Sequence, residues 1–414
     1  MRAPTDTAVQ QALADTMATE RLRIVAALIH RTGNWDAAED AVADAAERAL
    51  RRWPQDGVPD NPAAWLTRVA VRRAIDLARR REVERAKLAQ IADLDRRETL
   101  GAFDPPDRSP VTDDRLRLVF TCCHPALSLE ARVALTLKVV AGLSTAAIGR
   151  AFLTSEATMS QRVLRAKRKI ANAGIPYRVP TAAMLPERLE GVLAVVYLVF
   201  TDGYATTDHT LAEEAIRLGR LLVELMPGHD EPRALLALLL LQHSRRSARL
   251  VDGELVTLPH QDRSRWDTAA IEEARALQPP PGAGRGRYRI EADLAAVHAD
   301  AAGPDDTDWL RIVSLYDELL EIAPSPVVEL NRAIAVGMCD SPLAGLAGLD
   351  TVVAEGRLGD HYLVFAARAD LLARAGRPAE AVTDLDHAIE GAPTSRERRQ
   401  LDRRRAQLLP RQEP

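Results

Sequence analysis

Apolar side chains recur along most of this chain with the spacing of an α-helix, and one short stretch shows the pattern clearly. In "SEATMSQRVLRAKRKI", residues 155–170, Met159, Val163, Ala166 and Ile170 follow one another at steps of four, three and four. A helical period of about 3.6 residues places these four on one side. The opposite side is polar and basic, with Thr158, Gln161, Arg165 and Arg168 at its centre and Arg162 and Lys169 on its flank. The stretch therefore predicts a helix that packs through one face and exposes the other.

The same period continues along the chain and predicts an all-α fold with several domains. Ala, Leu and Arg dominate, and all three are strong helix formers. A stretch rich in Pro and Asp, "DPPDRSPVTDD", interrupts the helical pattern as a linker would. We predict a small helical domain over residues 15–88, a linker over 89–112, a second small domain over 113–175 and a large helical domain over 185–410.

The large C-terminal part shows signs of repeats. In "GRPAEAVTDLDHAIEGAP", Ala381, Leu385, Ala388 and Pro393 are spaced as in the second half of a tetratricopeptide repeat. Two other stretches, "LAEEAIRLGRLLVELMP" and "WLRIVSLYDELLEIAP", predict related helices that end at a proline. Because the spacing between these stretches is irregular, we predict degenerate repeats or an α-helical array of tetratricopeptide-like character. Such arrays usually bind peptides or neighbouring domains, so a peptide or protein regulator is one expected partner.

Composition narrows the class of protein. The chain has 414 residues, and its formal net charge of -4 argues against a protein that coats nucleic acid non-specifically. Three cysteines cannot form a disulfide framework and are typical of a reducing compartment. The longest apolar runs, "VLAVVYLVF" and "ALLALLLL", are too short to span a membrane, and the N-terminus lacks the apolar core of a signal peptide. We expect a soluble cytoplasmic protein that does not act at a membrane.

The basic helix has a partner directly before it. "GLSTAAIGRAF" predicts a short helix with apolar Ala147, Ile148 and Phe152, and the turn "LTSE" follows it. Ser155 in this turn is the predicted N-cap of the basic helix. This order is a helix-turn-helix pattern, in which the second helix enters the DNA major groove and its Arg and Gln side chains bond base edges. The alternative interpretation of the basic face, in isolation, is an ordinary solvated surface.

A second basic stretch lies upstream. In "NPAAWLTRVAVRRAIDLARRRE", a helix places Arg68, Arg72 and Arg79 on one side, close to Trp65. Arginines beside an aromatic ring can hold single-stranded nucleic acid by phosphate pairing and base stacking. The alternative, in which Trp65 is a core residue and the arginines are merely solvated, stays open at this point.

A third stretch, "NWDAAEDAVADAAERAL", carries an acidic stripe. Asp36, Asp40, Asp44 and Glu47 share one helical side, and small apolar residues share the other. Such a stripe avoids DNA and suggests docking to a basic protein surface. In isolation, an ordinary solvated acidic face is the favoured interpretation.

The order of acidic helix, basic helix with an aromatic, linker and helix-turn-helix resembles a bacterial RNA polymerase sigma factor of the extracytoplasmic-function type. "AEDAVADAAERAL" resembles the polymerase-docking helix, "WLTRVAVRRAID" the promoter-melting helix, and residues 113–175 the domain that reads the upstream element. The resemblance implies two partners, core RNA polymerase and promoter DNA. It implies polymerase binding by Asp36, Glu39, Asp40 and Asp44. It implies DNA binding by Arg68, Arg72, Arg73, Thr158, Gln161, Arg162, Arg165, Arg168 and Lys169.

The chain departs from the family pattern at a few positions. In the docking helix, Ala43 and Ala46 occupy positions where Gln and a large apolar residue are frequent in the family. In the first helix of the helix-turn-helix, Ala147 occupies a position where Glu is common. Arg72 stands where Asn is frequent in the melting helix. These departures concern the detailed contacts and leave the order of motifs intact.

The remainder of the chain resembles the subfamily of these factors that carries a long tetratricopeptide-like extension. The matching stretches are "DDRLRLVFTCCHPALS", "AGIPYRVP", "YLVFTDGYA", "QDRSRWD" and "PSPVVELNRAIAV". The resemblance implies that the extension regulates the factor in place of a separate anti-sigma protein. Asp202, Gly203 and Tyr204 are therefore expected to contact the sigma domains or polymerase. The alternative is a helix C-cap with a buried tyrosine.

Other chemistries find little support. Cys122, Cys123 and His124 in "TCCH" lack a second Cys pair that would complete a tetrahedral zinc site, so packing or a redox-sensitive thiol is favoured. The chain shows no Gly-rich nucleotide loop and no nucleophile elbow. We therefore expect neither an enzyme nor a cofactor. The alternative function is a helical-repeat adaptor without promoter activity, and a one-component repressor ranks third.

Overall fold

The predicted all-α class is confirmed by the computed structural model. It describes residues 6–91, 113–152, 154–206, 209–277, 285–354, 358 and 361–409, which form nineteen α-helices and one small β-hairpin. The chain divides into two compact units, Met1–Glu214 and Ala215–Pro414, which are described separately. Within the described residues, no helix combines the length and hydrophobicity that a membrane span requires.

Three helices open the first unit, and local signals set their ends. They are α1 (Asp6–Thr32), α2 (Trp35–Asp56) and α3 (Pro62–Ile91). Asn34 caps α2, since its side-chain oxygen accepts the Ala37 N–H at 2.9 Å. Gly57 follows α2 with φ +84°, a conformation that favours glycine. Asn61 then accepts the Ala64 N–H at 2.9 Å and begins α3.

The core of these three helices is built on small side chains. Trp53 and Leu66 are its largest fully buried residues on α2 and α3. Alanine on the inner side of α2 lets α1 and α3 pack closely against it. The buried alanines of α2 are Ala37, Ala38, Ala41, Ala45 and Ala49.

The next four helices are α4 (Asp114–Cys122), α5 (Leu129–Leu135), α6 (Thr145–Ala151) and α7 (Glu156–Asn172). A serine caps each of the last three, and the predicted cap at Ser155 is confirmed, with the Thr158 N–H 3.1 Å from its Oγ. A π-helical turn, Thr136–Val140, extends α5. The predicted apolar stripe of α7 is also confirmed, because Met159, Val163, Ala166 and Ile170 are all buried.

Gly149 allows α6 to pack tightly against the turn before α7. A Cβ atom at this position would lie 2.9 Å from the Thr154 carbonyl oxygen, which belongs to backbone and cannot rotate away. The glycine therefore sets the close approach of α6 and the turn.

The predicted domain boundaries are only partly visible. Helix α3 runs to Ile91, slightly beyond the predicted end at residue 88. Residues 92–112, which make up most of the predicted linker, lie outside the described residues. The boundaries therefore stay predictions.

Helix α8 (Leu185–Thr206) packs on α4, α5 and α6 within the first unit. The buried guanidinium of Arg188 donates to the Phe120 carbonyl oxygen at 2.7 Å. The first helix of the predicted extension thus shares a core with the helix-turn-helix region.

The second unit is a helical array. Its helices from α13 onward each pack against the next in sequence. The remaining helices are α9 (His209–Leu225), α10 (Asp230–Ser244), α11 (Arg246–Arg249), α12 (Thr268–Leu277), α13 (Arg287–Asp300), α14 (Trp309–Ile322), α15 (Pro326–Cys339), α16 (Pro342–Ala354), α17 (Tyr362–Arg374), α18 (Pro378–Gly391) and α19 (Ser395–Leu408). Ala381, Leu385 and Ala388, which have the spacing of a tetratricopeptide repeat in the sequence, are buried in α18.

One close helix crossing in this array depends on two glycines. A Cβ on Gly345 in α16 would lie 2.6 Å from the Gly337 Cα in α15. This backbone cannot yield without separating the helices, so the crossing requires glycine at position 345. A Cβ on Gly337 would lie 2.5 Å from Leu371 Cδ2, so the second position is crowded by a side chain of α17.

A short antiparallel hairpin is the departure from helix in the second unit. Strands β1 (Leu250–Val251) and β2 (Glu254–Leu255) pair, and Asp252 and Gly253 between them have φ values of 51° and 79°. Asp-Gly is a strong two-residue turn signal because both positions need positive φ. Glu254 accepts hydrogen bonds from Arg399 at 2.9 Å and Arg403 at 2.7 Å, which ties α19 to the hairpin.

Candidate functional site

The exposed side of α7 carries the polar residues that the sequence singles out. We call Thr158, Gln161, Arg162, Arg165, Arg168 and Lys169 the basic face. Five of them are exposed and Arg162 is half-buried. The Thr158 hydroxyl lies 2.8 Å from the Ser155 hydroxyl, so this side chain also takes part in the cap. Helix α7 therefore keeps its apolar side in the core and presents cationic donors outward.

An open groove of about 820 Å³ runs between α5 and α7, along most of the basic face. Its α5 wall includes Ser128 and Glu130. The pKa of Glu130 is lowered by its own backbone N–H, by the Ser128 hydroxyl and by the positive charge of Arg162. Glu130 therefore places a negative charge near Arg162 at the wall of the groove.

A second, mostly apolar cavity of about 390 Å³ lies behind the basic face, between α5, α7 and α8. Arg162 and Met159 line it from α7, and Asp202 lines it from the end of α8. Gly203 is buried, and the Tyr204 ring stacks on Phe200 with centroids 5.7 Å apart. The segment "TDGY" thus lies close to the helix-turn-helix core, as a helix end with a half-buried tyrosine.

The basic residues of α3 divide into two groups. Arg68 and Arg72 are exposed, whereas Arg73 is half-buried with its Nε 3.6 Å from the Asp44 carboxylate. Trp65 is half-buried and meets the buried Trp53 edge-on, with centroids 5.5 Å apart. Trp65 therefore packs on the core and keeps part of its ring in solvent. The side chain of Arg79 lies outside the described residues.

The acidic side of α2 is largely engaged within the molecule. We call Asp36, Glu39, Asp40 and Asp44 the acidic face. Asp44 pairs with Arg48 at 2.9 Å, while Asp36 and Glu39 accept hydrogen bonds from Lys167 Nζ at 2.8 and 2.5 Å. Asp40 is exposed and, among the described residues, forms no ion pair.

Sequence reasoning missed Lys167 and Tyr177, which connect α7 and the segment after it to α1 and α2. Lys167 lies on α7 but outside the basic face. Tyr177 occurs in "AGIPYRVP", and its hydroxyl lies 3.0 Å from the Ala26 carbonyl oxygen and 3.3 Å from that of Asp114. The one available signal was an unexplained tyrosine in a helix-breaking segment.

The cysteines of "TCCH" are packing residues in this structure. Cys122 and Cys123 are fully buried, and burial raises the pKa of Cys123 to about 11 and that of Cys122 well above its ordinary value. Both thiols therefore stay protonated near neutral pH. The His124 Nδ1 accepts the Ala126 N–H at 3.1 Å. Across the ranges that the structure describes, no group of three or more metal-binding side chains occurs.

Comparisons with known proteins match three segments. Residues 17–83 match sigma-70 region 2, residues 117–170 match sigma-70 region 4, and residues 188–278 match a family of unknown function. An uncharacterized protein of Rhizobium meliloti (strain 1021) is 43% identical over 401 residues, which cover 93% of this chain and 94% of that protein. No solved structure matches the chain. The first match contains α2 and most of α1 and α3, and the second contains most of α4 to α7.

Proposed function

Because the chain belongs to the sigma-70 family of RNA polymerase sigma factors, we propose that it is an extracytoplasmic-function factor with a regulatory extension. Sigma factors bind core RNA polymerase and promoter DNA, and they are initiation factors without enzymatic activity. The matches favour this function over a helical-repeat adaptor. A cytoplasmic location is part of the proposal, since the polymerase acts there.

The two-sided helix α7 carries the proposal for upstream promoter reading. Its apolar side is buried, and its basic face borders an open groove. In a helix-turn-helix, Gln161 can bond adenine, and Arg162 and Arg165 can bond guanine. Arg168 and Lys169 then pair with phosphates, which makes binding strongly salt-dependent.

Helix α3 supports the proposal for the melted strand. Arg68 and Arg72 are exposed beside the partly exposed ring of Trp65. A base can stack on this ring while the guanidinium groups neutralise phosphates. Arg73 can neutralise a phosphate in the same way once its guanidinium has separated from Asp44.

The acidic face of α2 is the proposed polymerase contact, and Asp40 offers its cleanest test. We expect purified full-length protein to co-elute with core RNA polymerase on a sizing column at moderate salt. Asp40→Arg reverses an exposed charge without breaking an internal pair, so we expect co-elution to be lost while the fold is kept.

Asp56→Arg is the matched control, since Asp56 is exposed at the far end of the same helix. The control variant should co-elute like the unmodified chain. Equal co-elution of the Asp40→Arg variant would contradict the proposed docking surface.

Regulation by the C-terminal extension is the finer part of the proposal. It is supported by the packing of α8 on α4, α5 and α6 and by the cavity that Asp202 and Arg162 share. A peptide or protein regulator on the helical array stays a prediction.

A shortened chain that ends at Thr206 tests this regulation, because it keeps α8 on the region 4 core and removes the array. We expect its promoter-dependent transcription to differ from that of the full chain at equal concentration. Identical run-off transcription, with circular dichroism showing that both chains are folded, would contradict a regulatory extension.

A further inference from the structure

Lys167 is a basic residue of α7 that does not belong to the basic face and contacts α2 instead. Its side chain is 11% exposed, and its ammonium group lies 2.8 Å from Asp36 Oδ1 and 2.5 Å from Glu39 Oε2. Glu39 is also well shielded and has a second cation, Arg21, at 3.7 Å. One ammonium group thus holds two of the four acidic-face residues.

The protonation of Lys167 supports a stable contact. Burial by itself lowers the pKa of the ammonium group, but the charges and hydrogen bonds of Glu39 and Asp36 outweigh it and raise the pKa. A raised lysine pKa means that the contact is fully charged throughout the neutral range. Charge-assisted hydrogen bonds of this kind are shorter and stronger than neutral ones.

Tyr177 forms a second connection between the same two regions. Its ring stacks near His30 at a centroid distance of 6.0 Å and meets Trp35 edge-on at 6.5 Å. Its hydroxyl reaches carbonyl oxygens of both α1 and α4. Burial is the main cause that raises the pKa of this phenol, so it remains a neutral donor. Tyr177 therefore connects the two regions at a second point, through α1, Trp35 and α4.

A third connection involves the shared cation of Glu39. Arg21 donates to the Val139 carbonyl oxygen at 3.0 Å. A Cβ on Gly142 would lie 2.9 Å from the Arg21 Nη1, so the guanidinium fits closely over this turn. Region 2 and region 4 are thus joined by three side chains at separate points.

We propose that this junction is a competitive latch, in which Lys167 occupies the polymerase-docking acidic face until a basic side chain of core RNA polymerase displaces it. The inference rests on the proposed function of that face. The partner that fits is a lysine or arginine presented at the position where Lys167 now lies. The basic face stays exposed while the latch is closed, so the latch controls docking and leaves DNA reading free.

The latch has a measurable consequence for affinity. Polymerase binds the open form, so the apparent dissociation constant is the intrinsic one divided by the open fraction. Lys167→Met keeps the length of the side chain and removes its charge. We expect this variant to bind core RNA polymerase about fivefold more tightly, because the open fraction rises.

Tyr177→Phe is a second variant that acts at a different point of the junction. It removes the hydroxyl bonds to Ala26 and Asp114 and keeps the packed ring. We expect it to shift affinity in the same direction by a smaller factor. The matched control is Arg178→Met, which removes one positive charge from an exposed neighbour and should leave the dissociation constant unchanged.

Closure itself is measured without polymerase by energy transfer between dyes in the full-length chain. A Cys339→Ser background removes the exposed cysteine, and Gln55→Cys and Asn172→Cys place the dyes at exposed ends of α2 and α7. We expect Lys167→Met and Tyr177→Phe to change the transfer efficiency and Arg178→Met to leave it unchanged.

The two measurements separate the possible failures. Unchanged transfer in both variants overturns the latch, and so does changed transfer with an unchanged dissociation constant, while the sigma-factor function stands in either case. Absence of polymerase binding by the unmodified chain and by both variants overturns the proposed docking function and the latch with it. Opening together with tighter binding supports the latch.

Discussion

Replacing Arg162 and Arg165 together with alanine is expected to abolish promoter-dependent transcription while core RNA polymerase binding persists. Both side chains border the groove beside α7, and neither packs in the apolar stripe that holds the helix in place. A good base contact is worth about 1 to 3 kcal/mol, or roughly 5- to 160-fold in affinity for each side chain. The double change should therefore reduce promoter affinity by at least about 30-fold.

The measurement is run-off transcription from a promoter identified by sequencing the transcripts that the reconstituted holoenzyme starts on genomic DNA. Arg178→Ala controls for the loss of an exposed arginine near α7 and should transcribe normally. The salt dependence of promoter binding gives a second readout, because each lost phosphate contact lowers the slope by about 0.9. Arg162 and Arg165 are proposed to bond bases, so their replacement should lower promoter affinity and leave this slope nearly unchanged. Normal transcription by the double variant would rule out α7 as the reading helix.

Trp53→Ala is expected to cause the largest loss of stability in the region 2 helices. The Trp53 side chain is 1% exposed at the contact of α2 with α3. Removing a buried tryptophan leaves a cavity and costs about 3 to 5 kcal/mol. Hydrogen exchange of the α2 and α3 backbone amides measures this local free energy of opening.

Trp65→Ala is the informative comparison, because Trp65 meets the same core with only part of its ring. We expect a clearly smaller loss of stability than for Trp53→Ala, together with weaker binding of the melted promoter strand. If the two substitutions cost equal stability and Trp65→Ala leaves strand binding intact, Trp65 is a core residue and the base-stacking proposal fails.

The sequence by itself determined the local architecture. Helical periodicity identified the buried stripe of α7, and a serine in the right place predicted its N-cap. The spacing of Ala381, Leu385 and Ala388 likewise places them on one side of a helix, and all three are buried in α18. These features depend on backbone geometry over a few residues, so a single stretch of chain contains the whole signal.

Tertiary structure alone decided which of these surfaces meet. Lys167 belongs by spacing to a basic helix, yet its carboxylate partners Asp36 and Glu39 lie more than a hundred positions earlier. Trp65 divides between core and solvent only because Trp53 lies beside it. The close crossing at Gly337 and Gly345 likewise has no signature in either helix alone. Periodicity states which face of a helix is apolar, whereas the partner of a side chain follows from how separate helices pack.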